Sequence, residues 1–293
     1  MASSIAIAEG RKYTLDEPDD LAPDEQVTFI LSLHGGGSVG SWQRLYFPAC
    51  DFVNAYRLVV ATPSAATREP MRRWVGEADD AHLRAIVRQV FERHGAERID
   101  RFWLAGHSQG GMTSNRLLTD DDFFKDRVNG WLSLSGGRIG PIELPASFFP
   151  PGRPPPTFPP GAPRPGRAAM PDCELSFIFA TGEHEMTSLP TTSPWAEKFG
   201  ATWRARRPDI IDDQPGQIHD TSREGRSSPA WGLAARPGRA EIHIWQGARD
   251  GRVIADVVRI DKGHTEGLEP KITEEIIKLM VSAPGGKARA LKG

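Results

Sequence analysis

Cysteine is scarce in this sequence: Cys50 and Cys173 are the only two among 293 residues. Two thiols form one disulfide at most, so the chain is not a small secreted protein that a disulfide framework holds together. Nothing in their spacing indicates that they pair. We therefore expect two free thiols.

Long apolar runs and an excess of charge of one sign are missing as well. No stretch approaches the ~20 apolar residues that a membrane-spanning helix needs. Lys and Arg number 36 and Asp and Glu 38, a net charge of −2, which argues against nucleic acid or an anionic membrane as a partner. Met1–Gly10 lacks the basic stretch and apolar run of a signal peptide, so we expect a cytoplasmic protein, or a secreted one if a leader has been removed. A monomer and a homodimer are both open.

What the sequence does contain is an alternation of short apolar strands with helical segments. Such alternation is typical of an α/β fold in which helices flank a mostly parallel sheet, and we expect one domain over residues 1–293. The predicted strands are Val27–Leu33, Arg57–Ala61, Ile99–Ala105, Gly130–Ser135, Leu175–Ala180, Glu241–Trp245 and Ile254–Ile260, and the predicted helices are Asp80–His94, Gln109–Leu118 and Ile272–Val281.

Two segments interrupt the alternation. Pro141–Pro171 contains twelve prolines, which predicts an extended insertion on the surface because proline resists regular structure. Pro208–Gly238 is polar and predicts a long loop. Loops of this length in a compact domain are usually functional or disordered, so we expect substrate specificity to depend on them.

The pentapeptide Gly106-His107-Ser108-Gln109-Gly110 gives the strongest chemical signal. It follows a predicted strand and precedes a predicted helix, the position where a G-x-S-x-G turn exposes a nucleophilic serine. The glycines are needed because the turn is too tight for neighbouring side chains. The backbone N–H of Gln109 would then point toward a developing oxyanion.

A second motif, His34-Gly35-Gly36-Gly37, follows the strand Val27–Leu33. A glycine run at a strand end lets the backbone approach a ligand and direct its N–H groups inward. It predicts a second oxyanion donor, which is Gly36 or alternatively Gly35.

One histidine stands where a general base is needed. His264 follows the last predicted strand, and parallel strands all end at the same edge of the sheet, so it would reach Ser108. His34 and His107 belong to the two motifs. His82 and His94 lie on a predicted helix, and we expect them to be on the surface.

The acid that orients the base is expected after the strand Leu175–Ala180, in the chain order serine, acid, histidine. Glu183 and Glu185 both qualify. We favour Glu185 and keep Glu183 as the alternative. His184 lies between them, but the spacing lacks a metalloprotease helix pattern, and we predict neither a metal nor a cofactor.

These motifs resemble the α/β-hydrolases of the polyhydroxybutyrate depolymerase and feruloyl esterase group, which includes the LpqC-like esterases. The resemblance rests on His34–Trp42, on Arg73-Trp74 with Asp79-Asp80, on Gly106–Met112, and on the late strand leading to Gly263-His264. It implies the α/β-hydrolase fold and ester hydrolysis by a Ser-acid-His triad without a cofactor. Glu185 falls where the family has Asp, and Thr265 follows the histidine where many relatives have Trp.

The sequence therefore predicts a serine hydrolase that cleaves a small-molecule or oligomeric carboxylic ester through an acyl-enzyme. A lactonase, thioesterase or polyester depolymerase would use the same triad, and a binding protein of the same fold without catalysis is the alternative from another class. The candidate substrate-binding residues are His107, Trp42, Phe148, Phe149 and Phe158.

Overall fold

Six parallel strands form the centre of one large sheet in the computed structural model, which describes residues 1–149, 166–218, 228–232 and 234–287. The strands are β1 (Ala2–Ala8), β2 (Arg11–Glu17), β3 (Val27–Leu33), β4 (Leu58–Pro63), β5 (Ile99–His107), β6 (Gly130–Leu134), β7 (Arg138–Ile139), β8 (Arg167–Ala168), β9 (Ser176–Gly182), β10 (Trp203–Arg206), β11 (Ile210–Ile211), β12 (Arg239–Gln246) and β13 (Ile254–Ile260). The α-helices are α1 (Gly40–Tyr46), α2 (Val53–Tyr56), α3 (Gly76–His94), α4 (Gln109–Asp120), α5 (Asp122–Lys125), α6 (Pro194–Lys198) and α7 (Pro270–Ser282). Short 3-10 helices cover Ala49–Phe52, Ala146–Phe148, Glu183–Glu185 and Arg249–Gly251.

The order of strands in the large sheet is β1-β2-β4-β3-β5-β6-β9-β13-β12-β10, and β11 also pairs with β12. Strands β4, β3, β5, β6, β9 and β13 pair in parallel. Antiparallel strands extend both edges, β2 and β1 on one side and β12 and β10 on the other. The mostly parallel sheet that the sequence predicts is confirmed.

Both faces of the sheet are covered, and this explains why the central strands are apolar along their whole length. On β3, Phe29 and Leu31 pack into one buried cluster with side chains of α3 and α4. Ile30 points to the opposite face and packs into a second cluster with side chains of α1 and α7. The two clusters fix the helices around the sheet and thereby fix the loops at the strand ends.

Several sequence-based expectations are wrong or incomplete. His82 and His94 are not on the surface but buried, with 1% and 8% exposure. These polar rings can be buried because each has a hydrogen-bond partner, the carbonyl of Ala8 for His82 and the carboxylate of Glu17 for His94. The hairpin β1–β2 was not predicted, since Ala2–Ala8 has little apolar alternation. Cys50 and Cys173 are both free thiols, as expected.

Within the described ranges, no helix is both long and apolar enough to cross a membrane.

Cys50 is buried and Cys173 is half-buried, and burial raises the pKa of both thiols.

Candidate active site

Ser108 occupies a strained turn between β5 and α4. Its backbone has φ +51° and ψ −118°, the left-handed side of the map that non-glycine residues rarely adopt. A Cβ on Gly106 would lie 2.3 Å from the backbone carbon of Gly110, and one on Gly110 would lie 2.2 Å from the carbonyl oxygen of Leu33. Both positions therefore require glycine, for the steric reason that the sequence predicts.

A continuous chain of hydrogen bonds joins the three residues predicted as nucleophile, base and acid. The Ser108 hydroxyl donates to Nε2 of His264 at 2.8 Å. Nδ1–H of His264 donates to Oε2 of Glu185 at 2.5 Å. His264 and Glu185 are each only 4% exposed, so this hydrogen-bonded pair is shielded from water.

Glu185, rather than Glu183, faces His264. Its other oxygen, Oε1, accepts from the Ser135 hydroxyl and from the Gly182 N–H, both at 2.8 Å. Burial alone would raise the pKa of Glu185, but the histidine and these hydrogen bonds outweigh burial and lower it. Glu183 is exposed and accepts from the backbone N–H of Asp261 at 2.9 Å.

Two buried rings, those of His107 and Tyr46, hold the backbone of His264 by hydrogen bonds. Nε2–H of His107 donates to the His264 carbonyl at 2.8 Å, and the Tyr46 hydroxyl donates to the same oxygen at 3.3 Å. The rings of Tyr46 and His107 stack with 3.8 Å between their centroids. Helix α1 and strand β5 thus both fix the loop that carries the base.

Two aromatic rings flank the imidazole of His264. Trp231 and Phe148 each meet it edge to face, at centroid distances of 5.0 and 5.5 Å. Trp231 and Phe148 stack on each other at 5.2 Å. The two segments that interrupt the strand–helix alternation therefore both reach the predicted base.

The glycine loop after β3 lies against the serine turn. A Cβ on Gly35 would be 3.3 Å from Cβ of Ser108, and one on Gly36 would be 3.6 Å from Oε1 of Gln109. Gln109 is the first residue of α4, so its N–H has no acceptor within that helix. The N–H of Gly36 donates no hydrogen bond to any part of the chain that the structure describes. The residues that carry the two predicted oxyanion donors, Gly36 and Gln109, therefore lie next to each other.

His34 fixes the start of this loop. Its Nε2 accepts from the N–H of Ala65 at 3.0 Å, so the proton is on Nδ1, which donates to the Gly35 carbonyl at 2.7 Å. Burial lowers the pKa of His34 to about 4, and the ring stays neutral near pH 7. Nε1–H of Trp74 donates to the His34 carbonyl at 2.8 Å. The side chains of the motif thus position its backbone.

A cavity of about 400 Å³ opens beside Ser108 and His264. Most of its wall is apolar, and its lining includes both described ends of the Pro-rich segment. The lining residues are Ser108, Met112, Ser135, Gly136, Gly137, Ile142, Leu144, Phe148, Gly166, Arg167, Phe179, Thr181, Glu185 and His264.

Of the five candidate substrate-binding residues, only Phe148 lines this cavity among those that the structure describes. Phe149 meets Phe148 edge to face at a centroid distance of 6.1 Å, and Trp42 packs against the second buried cluster, which contains side chains of α1 and α7. His107 is buried and donates a hydrogen bond to the backbone carbonyl of His264. Phe158 lies outside the described residues.

The sequence reasoning missed several contributors. Ser135 supports the acid, and Met112 lines the cavity one helical turn after Ser108, a spacing that the motif could have indicated. Asp79 is fully buried and accepts from the backbone N–H groups of Ala66 and Val75 at 2.9 and 2.8 Å. It thereby ties down the segment that packs on the glycine loop, although the sequence indicated only that Asp79 belonged to a motif.

No protein-family model and no curated protein matches this chain. Among solved structures, the acetyl xylan esterase from Aspergillus awamori is similar over 97% of this chain and 100% of its own, with a TM-score of 0.52 and 12% identity. The apo form of Thermogutta terrifontis esterase 2 is similar over 61% of this chain and 71% of its own (TM-score 0.39, 14% identity). An alpha-beta serine hydrolase homologue from Coxiella burnetii is similar over 62% and 74% (TM-score 0.39, 14% identity).

At 12% identity, similarity to the acetyl xylan esterase shows the fold alone. Together with the strand order, it shows that the chain has the α/β-hydrolase fold. The resemblance to the polyhydroxybutyrate depolymerase and feruloyl esterase group stays a prediction.

Proposed function

We propose that this chain is a serine hydrolase that cleaves a carboxylic ester with Ser108 as nucleophile, His264 as base and Glu185 as acid. The observation that carries the proposal is the unbroken hydrogen-bond chain from Ser108 through His264 to Glu185, located at the wall of a mostly apolar cavity. A side chain cluster that is only structural would not need a strained serine at its end.

In the first half of the reaction, Nε2 of His264 takes the hydroxyl proton as Ser108 Oγ attacks the ester carbonyl. Glu185 stabilises the imidazolium that forms, since its carboxylate is ionised and bonded to Nδ1. The pair is buried, so water does not weaken this interaction.

The negative charge on the former carbonyl oxygen needs donors that are already in place. The backbone N–H groups of Gly36 and Gln109 supply them, because one is held by the glycine loop and the other stands at the start of α4. Loss of one such donor costs about 2.7–4 kcal/mol of barrier in a serine hydrolase.

His264 then gives the proton to the departing alcohol, which leaves Ser108 acylated and completes the first half. In the second half, water attacks the acyl-enzyme with His264 as the base, and His264 returns the proton to Ser108 Oγ as the bond from Oγ to the acyl carbon breaks and the carboxylic acid is released. Apart from the ester and the attacking water, every group that these steps use belongs to the chain.

The cavity supports a small to medium ester as substrate. Its volume of about 400 Å³ lies in the range of small-molecule sites, and Phe148, Ile142 and Leu144 offer apolar contacts. An aromatic or hydroxyacyl ester, as the resemblance implies, fits this description.

The test is hydrolysis of p-nitrophenyl acetate, butyrate and octanoate and of methyl ferulate by the wild type and by Ser108→Ala. The exposed Ser188 gives a matched control, Ser188→Ala. We expect turnover by the wild type and the control and none above background by Ser108→Ala. Equal rates in all three proteins would place the activity elsewhere and overturn the proposal.

A fluorophosphonate probe tests the nucleophile independently of substrate choice. Covalent labelling of the wild type and the Ser188→Ala control, and its loss in a folded Ser108→Ala protein, supports the proposal. Absence of labelling in a wild type that also hydrolyses none of the esters would favour the catalytically silent binding protein.

A further inference from the structure

One cationic side chain, Arg167, stands in the otherwise mostly apolar wall of the cavity. It belongs to β8, which pairs in parallel with β7 next to the cavity residue Gly137. The side chain is exposed, so it lies where the cavity meets solvent. A ligand bound in the cavity can therefore contact it.

The segment that carries Arg167 is fixed relative to the nucleophile. The side-chain amide of Asn115 donates to the carbonyl of Ala169 at 2.9 Å and accepts from the N–H of the same residue at 2.8 Å. Asn115 is on α4, seven residues after Ser108, which at 1.5 Å per residue is about 10 Å along the helix axis. The backbone of the segment that carries Arg167 is therefore anchored to the helix that begins next to the reacting serine.

The other ionisable side chains of the wall already have hydrogen-bond partners. Glu185 and His264 bond to each other, and Glu185 also accepts from Ser135 and Gly182. The side chain of Arg167, in contrast, makes no hydrogen bond or ion pair with any residue that the structure describes. Most of the other side chains that line the cavity are apolar, and Leu144 is one of them.

A guanidinium with five free donors is best matched by a carboxylate, which accepts two parallel hydrogen bonds from it. An apolar wall ending in such a group is complementary to a molecule with an apolar body and an anionic end. A neutral ester of the same size would make no ion pair with the guanidinium, which would stay hydrogen-bonded to water.

We propose that Arg167 selects esters that carry a carboxylate several atoms away from the scissile carbonyl. The inference rests on the proposed esterase function and adds its substrate class. The anionic group can belong to the acyl part or to the alcohol part of the ester, and the arms of the experiment separate these two sources.

The acyl arm uses p-nitrophenyl hemiesters of succinic, glutaric, adipic and suberic acid. Each is paired with the corresponding monoamide, which has the same shape and no charge. The alcohol arm uses acetyl esters of ω-hydroxy acids, again paired with their amides. The measured quantity is the ratio of kcat/KM for each carboxylate to that for its amide.

Three variants accompany the wild type: Arg167→Gln, Arg167→Lys and, as a matched control, Arg207→Gln. Arg207 is an exposed arginine just beyond β10 at the edge of the sheet. We expect a carboxylate preference of about 5- to 10-fold in the wild type and the control, mainly through KM, with an optimum chain length in one of the arms. Arg167→Gln should abolish the preference, because kcat/KM should fall far more for the carboxylates than for the amides, and Arg167→Lys should keep part of it.

The preference should also decrease when salt is raised, because the guanidinium is exposed. Hydrolysis of carboxylate and amide esters at equal rates, or a preference that survives in Arg167→Gln, would overturn this inference and leave the proposed esterase function standing. No hydrolysis of any ester together with no fluorophosphonate labelling would overturn the proposed function, and this inference with it.

Discussion

Gly35 and His107 are in direct contact: a Cβ on Gly35 would lie 2.7 Å from Nδ1 of His107. The opposite nitrogen of the same ring donates to the carbonyl of His264. One buried imidazole therefore lies between the loop that carries the oxyanion donors and the loop that carries the base. Displacement of this ring would disturb both loops together.

Gly35→Ala should consequently lower activity more than the small size of the added methyl group suggests. The ring of His107 is stacked on Tyr46 and hydrogen-bonded, so it cannot yield easily to the new methyl group. We expect kcat on p-nitrophenyl butyrate to fall by at least about 10-fold and stability to fall by about 1–3 kcal/mol.

Gly76→Ala is the matched control, since a Cβ there would be 3.3 Å from the ends of the Arg116 and Asp80 side chains. It should retain activity. If Gly35→Ala were as active as this control, the proposed closeness of the glycine loop to the serine turn would have no catalytic consequence.

Glu185→Gln should reduce kcat by a factor of about 10²–10⁴, because an amide cannot stabilise the imidazolium and can favour the wrong tautomer of His264. Glu183→Gln is the matched control, two residues away and exposed, and should change kcat less than about 3-fold. Circular dichroism and denaturation of both variants separate a catalytic loss from a folding defect. A larger effect at Glu183 would reverse the assignment of the acid.

The central strands were predictable because their sequences are nearly continuous apolar runs. Val27–Leu33 and Ile254–Ile260 have the predicted limits. The edge hairpin β1–β2 was not predictable in this way. Ala2–Ala8 is mostly exposed, and its pairing with Arg11–Glu17 depends on tertiary contacts such as the bond from Gln89 to the Ile7 carbonyl.

The candidate site likewise contains some residues whose position the sequence predicts and others whose position it does not. The positions of Ser108 and His264 follow from chain order and from the common edge of parallel strands, so the sequence indicated their meeting. Which glutamate faces His264 depends on a single 3-10 turn, and sequence spacing alone leaves both open. Trp231 and Arg167 reach the site from long irregular segments, for which no periodic pattern predicts a direction.

Phe148→Ala should shift the chain-length preference toward longer acyl groups. Phe148 lines the cavity, and its removal adds room beside His264. The ratio of kcat/KM for octanoate to that for acetate should rise by several-fold, while kcat on acetate falls because the imidazole loses a neighbour. Phe149→Ala removes a ring of equal size that is not in the cavity wall, so it should leave the ratio unchanged. Equal shifts in both variants would mean that the cavity next to Phe148 does not hold the acyl chain.

His82→Gln should make the protein less sensitive to acid. Burial, with a smaller contribution from Arg11, lowers the pKa of His82 to about 4. Its Nδ1–H donates to the Ala8 carbonyl, and its Nε2 is buried without a hydrogen-bond partner among the described residues, so protonation in the folded state would bury an unpaired charge.

In the unfolded chain a histidine titrates near pH 6.5. Between pH 6.5 and 4 the unfolded state therefore binds a proton that the folded state does not, and stability falls as the pH falls through this window. From pH 7.5 to 5.0 the contribution of His82 is a loss of about 2 kcal/mol. His34, whose pKa is also lowered to about 4, adds a similar loss in both proteins.

Urea denaturation of the wild type and His82→Gln at pH 7.5 and 5.0 measures the difference. At pH 7.5, where both states of the wild type hold a neutral His82, the comparison gives the cost of the substitution itself. The wild type should lose about 2 kcal/mol more than the variant on going to pH 5.0. Parallel losses in the two proteins would show that His82 is protonated in the folded state, and then its ring cannot be in the buried position beside Ala8.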